Sequence, residues 1–214
     1  MSQWSFTQGV FWLAYLAIVF FALKPVLTQL RSTKIQHLVF GASAALAVLW
    51  WFRTGIYPGL EIHFLWLTAM TLVLGWRWAM FSSLLALITI TALGHSSWAD
   101  FGVVGVIGSV IPIALSYFIY IFAFHKLPRH LFVYIFVCSF FAGAACISLK
   151  MFVFSMYFSG MELYDWRIVS DNYLILIPLL LFPEGLLNGM TITILTLYKP
   201  DWVKTFYDDH YLNQ

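Results

Sequence analysis

Apolar residues in this chain come in long unbroken runs separated by short polar knots. FWLAYLAIVFFAL, from Phe11 to Leu23, carries no ionisable group before Lys24. Crossing a bilayer takes about 20 such residues, within a range of roughly 17–25. Read this way, the pattern predicts seven spans, at about 8–23, 37–52, 60–76, 78–94, 101–123, 131–157 and 173–198. The third and fourth are short and meet at Trp76-Arg77-Trp78, so they read either as two crossings or as one shallow hairpin. Losing both would leave the orientation of the others unchanged.

Lys and Arg set the orientation. With the N-terminus outside, the inner side holds Lys24, Arg31, Lys34, Arg77, Lys126, Arg129, Lys199 and Lys204. The outer side holds only Arg53 and Arg167, and Lys150 falls within span six. Trp50, Trp51, Trp66, Trp76, Trp78 and Trp98 lie near span ends, where indoles favour the headgroup layer.

Composition narrows the class further. Only 9% of residues are charged and 62% are hydrophobic, with mean hydropathy +0.88. A soluble domain carries roughly a quarter charged residues, so this chain could not cover a water-facing globule. The expectation is an all-α integral membrane protein, a single bundle of about seven transmembrane helices, N-out and C-in. It forms one domain over residues 1–214, with a short cytoplasmic tail from about residue 199. A net charge of +2 gives no reason to expect a nucleic-acid partner. Cys138 and Cys146 sit in one apolar run and read as small hydrophobes. MSQWSFTQGVFWLAYLAIVF lacks a basic leader and a cleavage site, so the first run reads as a permanent span.

Candidate chemistry concentrates in a few places. In GLEIHFLWLTAMTLVLGW (59–76), Glu61 and His63 stand at the outer mouth of span three. His95 and Asp100 occupy GHSSWADFG, on the same side. Two imidazoles and two carboxylates at similar depth suit a divalent transition metal; the plainer reading is solvated loop residues. Glu184, in LFPEGLLNGMTITIL, lies well inside span seven, with Asn188 one turn later on the same face. An intramembrane carboxylate marks either a transport path or a polar clamp between helices. Lys150 in span six either snorkels outward or pairs with Glu184. Pro183 can free a backbone carbonyl inside the bundle.

Small residues mark close helix approaches. Gly41 and Ala45 stand four apart in GASAALA, and FGVVGVIGS and AGAA have the same character. His125 and His130 flank the basic turn HKLPRH and read as headgroup contacts; Asp208-Asp209-His210 reads as a solvated tail. There is no Walker sequence, HExxH, GxSxG or paired-histidine oxidase motif, so no catalysis is expected.

From about residue 24 to 197 the chain resembles the CbiM/NikM-type membrane components that capture cobalt or nickel for energy-coupling-factor (ECF) transporters. GLEIHFLWLTAMTLVLGW is similar to the family's glycine-rich turn followed by a His-Leu-Leu-Gly segment, with His63 at the histidine. GHSSWADFGVVGVIGSVIPIALSYFIY resembles its acidic, glycine-containing loop and following helix. FPEGLLNGMTITIL resembles its Gly-Glu-Gly/Ala-Leu-Ile-Thr-Gly segment, with Glu184 at the glutamate. Family members begin Met-His and fold that terminus onto the metal, whereas this sequence begins Met1-Ser2-Gln3-Trp4. The resemblance therefore implies a metal site at His63 completed by Glu61, His95 or Asp100, or else a changed ligand or lost transport.

It also implies a bacterial inner-membrane permease component that takes cobalt or nickel as substrate. Its partners would be a coupling membrane subunit, met through Gly41 and Ala45, and cytoplasmic ATPases. The alternatives are a non-transporting membrane subunit or assembly factor that kept the fold, and a proton-coupled carrier built on Glu184 and Lys150.

Overall fold

The computed structural model describes residues 5–206, and over these the chain is all-helical. The helices are α1 (Phe6–Leu23), α2 (Thr33–Trp51), α3 (Leu67–Leu74), α4 (Trp76–Ala92), α5 (Phe101–Lys126), α6 (Leu131–Gly160) and α7 (Trp166–Tyr198). By length and composition α1, α5, α6 and α7 can each cross a membrane, and α4 is a shorter apolar helix. The described residues contain no strand, only an isolated antiparallel bridge between Thr54 and Ile62. The Met1-Ser2-Gln3-Trp4 terminus and Asp208-Asp209-His210 lie outside the described residues.

Span three departs from the expected helix. Only Leu67–Leu74 is helical; residues 60–66 enter the bundle without helical structure. Eight residues rise about 12 Å, well short of the roughly 30 Å hydrocarbon core. Hydropathy reports the solvent around a segment and not its backbone, so it could not separate the two forms. Every residue of α3 is buried, as expected of a helix apolar on all sides.

A short buried helix must find partners for the free N–H and C=O groups at its ends, and α3 finds them on distant segments. At its C-terminal end, Lys204 and Thr205 donate their backbone N–H groups to the carbonyls of Val73 (2.9 Å) and Leu72 (3.2 Å). The Thr205 hydroxyl also donates to Leu72 (2.7 Å). Gly75, at φ +79, then lets the chain turn sharply into α4.

Around α3, α2 lies against α4, α6 against α7, and α1 against the start of α5. That last contact is very close: a Cβ on Gly102 would meet the backbone of Trp12 at 2.4 Å. Trp12 meanwhile stacks on Phe101 and donates its indole N–H to the Trp98 carbonyl (2.8 Å). The glycines of FGVVGVIGS thus serve internal contacts. Gly41 does not: it is exposed, and a Cβ there would meet nothing within 4 Å. The inward face of α2 is instead Val39, Ser43, Leu46 and Trp50.

Two of the expected interfacial indoles also turn inward. Trp50 and Trp78 are each 3% exposed and donate to the Leu65 carbonyl and the Gln29 side chain. Trp51 and Trp98 are exposed.

Candidate functional site

The N-terminal end of α3 is held by α7. Trp66 adopts the left-handed conformation (φ 55), which directs consecutive N–H groups to one place. The Glu184 carboxylate accepts from the N–H groups of Leu65 and Trp66, each at 2.8 Å. Asn188 accepts from the Ala69 N–H (2.8 Å) and donates its amide to Glu184 Oε1 (2.8 Å). The Trp66 indole donates to the Thr191 hydroxyl (2.8 Å). Glu184 is 1% exposed and Asn188 0%.

A carboxylate with three donors at a helix N-terminus meets favourable partial charge as well as full hydrogen bonding. This geometry is a clamp joining α7 to α3. Of the two readings of Lys150 neither is met: it is 3% exposed and so does not reach outward, and it forms no ion pair with Glu184, whose carboxylate is taken up by backbone N–H groups. Among the described residues the carboxylate that does pair with a cation is Glu61, with Arg53 at 3.1 Å.

Above α3, at the end of the bundle where α2 and α4 stop, lies a cavity of about 370 Å³. Glu61, His63, His95 and Asp100 all line it, as does Lys150. Their segments are far apart in sequence: the α2–α3 connection, the α4–α5 connection and the wall of α6. On α5, Val106–Val110 forms a wider π turn, with the Ile111 N–H reaching back to Val106. Pro112 follows and has no N–H to give Gly108. Gly108 and Ser109 of that turn face the cavity.

Each candidate donor has a defined local setting. His63 Nδ1 lies 3.0 Å from the Phe64 carbonyl; a carbonyl only accepts, so Nδ1 donates, which in the neutral ring leaves the Nε2 lone pair for a ligand. Histidines oriented this way are the usual metal ligands. The His95 ring rests 4.2 Å from that of Trp51. Asp100 accepts from the Gln8 side chain of α1 (2.8 Å).

Glu61 is engaged by Arg53, which the sequence marked only as one of two outer-side basic residues. Arg53 also donates to the carbonyls of Trp50 (3.1 Å) and His95 (3.1 Å), tying three segments of the rim together. Its position eight residues before Glu61 was the available sign. Gln8 and Ser109 gave no comparable signal.

The cavity therefore gathers the four expected residues on one surface without bringing them into one coordination sphere. Among the described residues no three His, Cys, Asp or Glu side chains approach closely enough to hold an ion. His125 and His130 are exposed elsewhere, bonded to the Ile121 carbonyl and the Phe132 N–H.

Residues 5–202 match a family model described as a cobalt uptake substrate-specific transmembrane region. Comparisons with curated proteins and with solved structures returned no match.

Proposed function

The chain belongs to the CbiM family, the cobalt uptake substrate-specific transmembrane region, and on that premise we propose that it captures a divalent transition metal for uptake. Membership makes it a membrane component of cobalt uptake. The finer reading is that cobalt or nickel enters the cavity, meets His63 and is passed inward. The chain would supply no catalysis of its own, and the energy would come from a coupling membrane subunit and cytoplasmic ATPases.

The observation that carries this reading is the single cavity shared by Glu61, His63, His95 and Asp100, with His63 Nε2 left free for coordination. The distribution of Lys and Arg supports an N-out bundle of seven crossings in a bacterial inner membrane, with the cavity open to the outside. Residues 60–66 and α3 would together make the third crossing. The open face at Gly41 and Ala45 is where the coupling subunit would dock.

Elemental analysis of the purified protein tests the proposal. Cobalt or nickel near one equivalent is expected in the wild type, with a several-fold loss in His63→Ala and a smaller loss in His95→Ala. Metal content at background in all three proteins would remove the capture reading. One observation favours a second reading, a subunit that kept the bundle and lost its ligand set: Arg53 occupies Glu61, and no three donors converge among the described residues. A metal-free wild type that copurifies with a larger membrane complex would support it.

A further inference from the structure

Residues 60–66 carry no helical ladder, so their backbone groups must find partners elsewhere in the bundle. On one side of His63, Ile62 exchanges both backbone bonds with Thr54, at 2.8 and 3.0 Å. On the other side, the Leu65 N–H goes to Glu184 (2.8 Å) and the Leu65 carbonyl accepts from the Trp50 indole (3.2 Å). Trp50 lies in the last turn of α2 and Thr54 just beyond it. The close of α2 therefore runs antiparallel along the segment that bears His63.

Pinning the backbone on both sides leaves only the side-chain torsions of His63 to be set. The contact of Nδ1 with the Phe64 carbonyl restrains the ring from one edge. The Trp50 ring lies against it, with centroids 5.5 Å apart and planes at 55°. Trp50 has little freedom of its own. It is 3% exposed, its indole N–H is given to Leu65, and its carbonyl accepts from Arg53 Nε (3.1 Å). One residue thus meets the candidate ligand twice, by its ring directly and through the backbone two positions on. A working ligand needs such support, since its geometry must hold within about 0.5 Å and 10–20°.

We infer that Trp50 is a positioning residue for His63, holding the imidazole and the strand behind it so that Nε2 meets the cavity. An indole can do both, having an apolar face and an N–H at its edge. Phenylalanine would keep the face and withdraw the donor from a buried carbonyl. The inference rests on the metal-capture reading in taking His63 as a ligand; Trp50 itself gives no atom to the metal.

A double-mutant cycle in cobalt(II) affinity tests it, by calorimetry on purified wild type, Trp50→Phe, His63→Ala and the double variant. Trp50→Phe should bind cobalt about tenfold more weakly than wild type. In the His63→Ala background the same substitution should change affinity by less than about twofold, because the group it positions is gone. Equal losses in the two backgrounds, or none in the first, would overturn the role and leave Trp50 serving the fold alone. The visible absorption of bound cobalt(II), which reports ligand geometry, is the second readout. Altered bands in Trp50→Phe support the inference. Bands identical to wild type overturn it, even where His63→Ala binds too little cobalt to complete the cycle. Trp50→Tyr, which also keeps a ring, replaces the phenylalanine variant if that one does not fold. If the wild type and His63→Ala bind cobalt equally well, the positioning role falls and capture by other donors stands. If the wild type binds no cobalt, both fall.

Discussion

Replacing Glu184 by alanine is expected to destabilise the protein by about 3–5 kcal/mol, because it strips the partners from two buried backbone N–H groups, each costing roughly 1–3 kcal/mol when left unsatisfied. The Leu65 and Trp66 N–H groups lose their acceptor in the bundle interior, and Asn188 loses the acceptor for its own amide. Trp66 would also lose the contact that offsets its left-handed backbone. Glu184→Gln should fall between wild type and alanine, since its single amide oxygen satisfies one N–H while its NH₂ opposes the other. Thermal unfolding in detergent, followed by tryptophan fluorescence, checks the order wild type, glutamine, alanine. A proton-carrier role would reverse the expectation, leaving the glutamine variant as stable as wild type and defective only in transport.

Arg53→Ala is expected to cost about 2–3 kcal/mol, less than three charged hydrogen bonds would suggest because the rim is partly wet. The side chains of Arg53 and Glu61 are 14% and 34% exposed. Removing the guanidinium detaches the end of α2 from Glu61 and from the His95 carbonyl. It also frees the Glu61 carboxylate beside His63 and takes one positive charge from the wall. Free cobalt(II) should then bind about tenfold tighter, since both changes favour a cation there. Tighter cobalt binding by a folded variant points to an electrostatic effect, whereas weaker binding points to general damage to the cavity.

Much of the helical layout was legible because lipid-facing segments announce themselves by composition. Apart from residues 60–66 the predicted runs overlap the observed helices, four of which are long and apolar enough to cross a membrane, and the glycines of FGVVGVIGS mark the close approach of α1 to α5. Span three shows the limit of that signal: an apolar sequence enters the bundle whether it is helical or not, and only Gly59 and Gly75 hinted at turns.

Glu184 was conspicuous as a carboxylate inside a span, but its partners are backbone N–H groups more than a hundred positions away, which carry no residue-type signature. Lys150 was equally conspicuous, and opposite charge alone favours pairing it with Glu184. The structure gives the two charges different surroundings, one the end of a helix and the other a cavity wall. Positions at the ends of expected spans allow Glu61, His63, His95 and Asp100 to share a cavity, yet nothing in their spacing requires it. Their separation into individually satisfied groups depends on Arg53 and Gln8, whose roles need three-dimensional placement.

Crystals of the protein grown with cobalt, with data collected above and below the cobalt absorption edge, would locate the metal directly. The account predicts an anomalous peak inside the cavity, at coordination distance from His63 Nε2. A peak elsewhere on the bundle, or a cavity without one in a cobalt-loaded protein, would contradict it.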